Sequence, residues 1–149
     1  MRAGEILGLT WGDVELEGRS LKINQQQQRV GKELILVAPK TDRSARSIPL
    51  TQMAVDALIQ HKKEQMDLHR AESARVLSGR VFVNENGAPL ENATALRQFQ
   101  KLVKDAGLPR MRLHDLRHSC ATLLLSKGVH PRTVMELLGH STISMTMNV

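Results

Sequence analysis

At Thr51 the apolar residues change their spacing, and this switch does most to limit the folds open to the chain. Before it, short apolar stretches are divided by turn residues. After it, apolar residues recur at three- and four-residue intervals, the spacing a helix needs to bury one side. Upstream, Leu21–Gln27, Glu33–Ala38 and Arg46–Leu50 read as strands, separated by Gly31-Lys32 and by the polar turn Pro39-Lys40-Thr41-Asp42-Arg43-Ser44. Downstream, Thr51 is the N-cap of a helix that runs to about His69 with Val55, Leu58 and Ile59 as its stripe. Val81–Val83 is a short extended piece before an Asn86-Gly87 turn. Helices then span Asn92–Ala106, stopped by Gly107 and Pro109, and the stretch after Leu113 as far as Gly128, with Leu113, Leu116, Cys120, Leu123 and Leu124 pointing inward. Pro131–Leu138 is a short helix closed by Gly139, and Thr142 opens another. At the other end Arg2–Leu9 reads as a helix without a capping residue, so the chain is expected to begin inside an element. These elements predict one α+β domain, mainly helical, with a small three-stranded antiparallel sheet.

The sequence has 149 residues, enough for one good core, with Lys+Arg 21 against Asp+Glu 15, a net charge of +6 that suits a polyanion. Aromatic residues make up 2% and tyrosine is absent, which argues against modules that stack single-stranded bases on rings and leaves duplex backbone binding as the better fit. The lone Cys120 excludes an internal disulfide and fits a reducing compartment. With no long apolar run and no signal-peptide core, a cytoplasmic protein with no membrane partner is expected.

His114-Asp115-Leu116-Arg117-His118 carries the chemistry most plainly. His114 and Arg117 lie one helical turn apart, and a guanidinium fork beside an imidazole suits an anionic oxygen. Alone, the motif equally describes a solvated polar face. A zinc site on His114 and His118 is the weaker reading. The metalloprotease pattern needs Glu directly after the first His, and Asp115 stands there with Arg117 close by, so no metal is expected.

Other motifs accompany it in order: Arg2-Ala3-Gly4-Glu5 before an apolar helix, then Pro39-Lys40-Thr41 with Arg46-Ser47-Ile48-Pro49-Leu50, and finally Leu138-Gly139-His140-Ser141. The series resembles the tyrosine recombinase (phage integrase) family over essentially the whole chain. The resemblance implies a catalytic domain that cleaves and rejoins duplex DNA through a 3′-phosphotyrosyl link, without cofactor or metal. It implies that Arg2 and Arg117 clamp the scissile phosphate, that Lys40 gives a proton to the leaving 5′ oxygen, and that His114 and His140 hold phosphate oxygens. Glu5 would support the first arginine, and His118 would play a structural part. Such residue types fit the problem. Guanidiniums offset charge building on the non-bridging oxygens, at roughly 3 kcal/mol per preorganised donor, and a placed acid contributes about 10²–10⁴-fold.

The family's nucleophilic tyrosine follows the second histidine by a short interval. Here the run Met145-Thr146-Met147-Asn148-Val149 resembles the residues just ahead of that tyrosine, the sequence stops at Val149, and no tyrosine occurs in it. The expectation is therefore a partial catalytic domain over residues 1–149, lacking the nucleophile, an N-terminal DNA-clamping domain and a C-terminal tail. It would be inactive alone and monomeric or weakly associating, whereas the full-length protein would act as a homotetramer on DNA, phage- or bacterially encoded and associated with the nucleoid. The alternatives are a noncatalytic helix-turn-helix-like regulator built on Leu123–Ile143, and a type IB topoisomerase relative. Bland readings attach to Trp11 (core packing), to Cys120 (buried), and to His61 and His69 (solvated). Arg43 and Arg46 are expected to touch the DNA backbone or nothing, and Arg80 to matter far less for DNA capture than Arg2 or Arg117.

Overall fold

In the computed structural model, which describes residues 1–38, 45–71 and 79–139, the stretch expected as one strand over Leu21–Gln27 is two strands in different sheets. β2 (Ser20–Ile23) lies between β1 (Val14–Glu15) and β5 (Arg46–Pro49), with Leu21 opposite both Val14 and Ile48. β3 (Gln26–Val30) pairs instead with β4 (Glu33–Val37) in a separate hairpin. Leu21, Ile23 and Gln27 are all buried, so the alternation passes through the break unmarked. The cause is a side-chain anchor. The Gln25 amide donates to Asp13 Oδ2 at 3.0 Å, and that oxygen also accepts from the Thr10 backbone at 3.0 Å and the Thr10 hydroxyl at 2.6 Å. Gln25 is thus pinned to the 3₁₀ turn Trp11–Asp13, and the chain leaves the first sheet there. The three-stranded antiparallel sheet exists, with β1 in the place expected for Glu33–Ala38.

α1 (Ala3–Leu7) is shorter than the Arg2–Leu9 reading, and it does have a cap: the Arg2 backbone N–H donates to Glu5 Oε2 at 2.7 Å. At its end Gly8 admits β3. A Cβ there would stand 2.7 Å from Gln27 N and 2.8 Å from Gln26 Cα, so no other residue lets the strand come so close. Arg80 fastens the same junction. It is buried and donates to Leu7 O at 3.2 Å, to Gln27 Oε1 and to Leu34 O at 3.4 Å. Arg80 is therefore structural, a role that the sequence reading did not assign to it.

α2 (Gln52–Ala71) starts as expected, with Thr51 Oγ1 accepting from Ala54 N–H at 3.3 Å. Val55 is buried, whereas Ile59 faces solvent. The first core joins Leu9, Leu21, Ile23 and Val81, with Trp11, Ile48, Leu58 and Phe82 packed on it. Trp11 Nε1 donates to Gln65 Oε1 at 2.6 Å. His61 is not merely solvated: its ring lies against both Trp11 and Phe82, and Nε2 is 2.7 Å from Val81 O. The side chain of His69, the polar turn with Arg43, and the helix expected from Thr142 lie outside the described residues.

α3 (Asn92–Asp105), α4 (Leu113–Ser126) and α5 (Pro131–Leu138) follow the sequence reading closely. The rotation of α4 does not. A second core of Ala121, Val134 and Leu138, backed by Leu124, Leu125 and Val129, turns Arg117 and Ala121 inward. Leu116 (44% exposed), Leu123 (60% exposed) and Cys120 face outward, contrary to the inward stripe read for them. The leucine-rich helix offers two stripes one residue apart. The stripe through Ala121 wins because its small side chain lets fully buried Val134 of α5 approach. Among the described residues no helix is long and apolar enough to cross a membrane.

Candidate active site

Glu5 is the hub of the candidate site. It sits one turn into α1, 4% exposed, with both carboxylate oxygens engaged. Arg2, just before the helix, donates to it twice, from its backbone at 2.7 Å and from Nη1 at 3.0 Å. Arg46 reaches it from β5, with Nη1 at 3.1 Å from Oε1 and Nη2 at 2.8 Å from Oε2. Burial pushes the Glu5 carboxyl up, but the hydrogen bonds from Arg46 and from the Arg2 backbone outweigh it and hold the pKa at about 2. Glu5 is anionic at any ordinary pH.

The two arginines also grip the end of α5. Arg46 Nε donates to Leu137 O at 2.9 Å, and Arg2 Nη2 donates to Gly139 O at 3.0 Å. Gly139 turns the chain with φ of 68°, which favours glycine, and a Cβ on it would lie 2.8 Å from Arg46 Nη1 and displace the guanidinium.

Arg117 approaches from the inner face of α4. It is 5% exposed, and its Nη1 is buried without a hydrogen-bond partner among the described residues. Burial, with the nearby Arg2 and Arg46 adding to it and Glu5 opposing, lowers its pKa to about 10. Among the described residues Arg2 and Arg46 pair with Glu5 and Arg117 lies in electrostatic reach of it, so cations outnumber the carboxylate and one donor is unspent. A buried cation with an unmet donor is costly unless an anion arrives to meet it. His114, exposed on α4, has its pKa lowered by burial, then by His118, Arg117 and Arg112, with Asp115 opposing. Its ring meets that of His118 edge-on at 4.8 Å. The carboxylate of Asp115 is taken by the Arg112 backbone at 2.7 Å and the Arg112 Nη2 at 2.9 Å.

Of the residues singled out in the sequence, Arg2, Glu5 and Arg117 come together, with His114 in electrostatic reach of Arg117 and His118 against His114. Lys40 and His140 lie outside the described residues, and so does Val149, where the run expected to lead into the nucleophile stops. Arg46 is a full member of the cluster rather than a surface arginine, its side chain 7% exposed. The sequence carried a signal for this. Arg46 alternates in phase with Ile48, and it pairs with buried Ile23, so it shares the strand's inner side.

The phage integrase family model matches residues 1–149. Among curated relatives, a tyrosine recombinase XerC-like protein of Caldanaerobacter subterraneus is 32% identical over 166 aligned positions, covering 100% of this chain and 41% of the relative. A putative prophage phiRv2 integrase of Mycobacterium tuberculosis is 34% identical over 142, covering 95% of this chain and 36% of the relative. Among solved structures, the Tn1549 transposon integrase in complex with transposon right end DNA superposes with a TM-score of 0.85 at 27% identity, over 99% of this chain and 49% of that one. The chain therefore spans about two fifths of the curated relatives' length. With the family pattern matched from end to end and the fold shared with a solved integrase, the chain belongs to the phage integrase family of tyrosine recombinases.

Proposed function

We propose that residues 1–149 form the phosphate-gripping part of a site-specific DNA recombinase's catalytic domain, acting on duplex DNA. The observation that carries this reading is the buried Nη1 of Arg117, without a partner among the described residues, beside the cationic Arg2 and Arg46. A phosphodiester oxygen supplies what is lacking there. In this reading Arg2 and Arg117 bind the non-bridging oxygens and offset the charge that grows on them during attack. His114, its cationic form disfavoured, donates a hydrogen bond as neutral imidazole, and His140 supplies a further one. Lys40 protonates the departing 5′ oxygen. The attacking phenolate forms a 3′-phosphotyrosyl ester that conserves the bond for religation. Since these 149 residues, Met1 to Val149, hold no tyrosine, the nucleophile must come from outside them, and the chain alone binds without cutting.

The test is binding of a fluorescent nicked duplex across a salt series. Arg117→Ala is expected to weaken binding about tenfold or more, and Arg2→Ala to do likewise, whereas Lys63→Ala on the exposed side of α2 changes little. Equal losses in all three variants would remove the case for a shared phosphate clamp. Denaturing gels of the same mixtures should show no covalent protein–DNA adduct.

A further inference from the structure

Arg46 engages three things that the phosphate site depends on: both oxygens of Glu5, the carbonyl of Leu137 and the space that a side chain on Gly139 would take. Its guanidinium lies between α1 and the last turn of α5. Arg2 closes the loop, binding Glu5 on one side and Gly139 O on the other. Two neighbouring points of one backbone stretch, Leu137 and Gly139, are thus each held by a guanidinium, and the next residue in sequence is His140. A backbone-phosphate contact would need Arg46 on the surface. Its side chain is instead 7% exposed, with its donors directed into the protein.

We propose that Arg46 is a positioning residue for the phosphate site: it docks the end of α5 onto Glu5, and so fixes both the Arg2 guanidinium and the backbone that leads into His140. The proposal rests on the phosphate-site reading above. Geometry, not charge, is the requirement. A lysine at this position keeps the cation but has one nitrogen, which cannot bridge both Glu5 oxygens and also reach Leu137 O. Gly139 is the matching surface, since any side chain there meets Arg46 Nη1 and Cζ at 2.8 and 3.0 Å.

The experiment titrates the 149-residue chain with inorganic pyrophosphate while NMR follows the arginine Nε–Hε signals and the Gly139 amide. In Arg46→Lys, the Gly139 amide and the Arg2 side-chain signals should move before any pyrophosphate is added. Affinity should fall roughly tenfold, although net charge is unchanged. Should Arg46→Lys fail to fold, Gly139→Ala presses on the same contact from the other partner, as well as straining the φ of 68°, and should bring the same loss together with a shift of the Arg46 Nε–Hε signal. Where both singles fold, the double variant should lose less than their sum, because both break one junction. Arg46→Lys binding pyrophosphate as the parent does, with the Gly139 amide unmoved, overturns the proposal while Arg117→Ala still loses binding. If Arg117→Ala also binds normally, the phosphate-site reading fails and this proposal falls with it.

Discussion

Replacing Glu5 by glutamine removes the carboxylate that Arg2 and Arg46 share and leaves the guanidiniums facing a neutral amide. The size of the effect follows from the titration of the carboxyl. Its pKa falls from an ordinary 4.5 to about 2, and at about 1.4 kcal/mol per unit this is about 3 kcal/mol of stability from the ionised form. Breaking a buried pair by deleting one partner gives a similar figure, about 3–5 kcal/mol. Because the folded-state pKa is depressed, this stabilisation is complete above the unfolded value of 4.5 and drains away as pH falls toward about 2. Urea unfolding followed by circular dichroism should show Glu5→Gln less stable by about 3 kcal/mol near neutral pH, with the gap mostly closed by about pH 2.5. A neutral-pH gap under about 1 kcal/mol, the size expected of an exposed pair, would refute the reasoning. So would a gap that stays constant on acidification.

Arg117→Met should leave stability equal or raise it by about 1 kcal/mol or more, since an apolar chain avoids the burial cost of an incompletely paired cation, while duplex binding is lost. Thermal melts alongside binding curves check this, and a large drop in melting temperature would mean that Arg117 holds the fold. Gly8→Ala places a methyl 2.7 Å from the Gln27 backbone and should destabilise by about 1–3 kcal/mol in urea titration. A neutral result would show that β3 does not sit so close to α1. His114 should titrate below its ordinary 6.5 by NMR, and Arg117→Ala should bring it back upward; an unmoved midpoint in that variant would separate the two residues electrostatically.

Much of this was legible in the sequence wherever a local rule and a long-range need agreed. α2 starts on its Thr51 cap, and α5 starts at Pro131 and closes on Gly139, so these bounds follow from short-range chemistry. Arg2, Glu5 and Arg117 could be grouped because the order of the motifs, not any one motif, tied them to a known arrangement. Legibility failed where a tertiary partner chose between equal local options. Nothing near Gln25 announces that Asp13 will pull it out of the sheet. The leucines of α4 permit two rotations, and Val134 of another helix selects the one that buries Arg117. Arg46 reads as a surface cation because buried arginine is rare, and what makes its burial tolerable is a pair of distant acceptors, Glu5 and Leu137.

The missing side chain at position 8 has a mechanical result. With β3 seated directly on the end of α1, the hairpin stem and the short helix behind Arg2 form a single lever. β4 ends with Val37 opposite Gln26, at the root of that stem, and Lys40 comes shortly after it in sequence. A ligand that draws Arg2 forward therefore acts on α1 and on the root of the β3–β4 hairpin as one body.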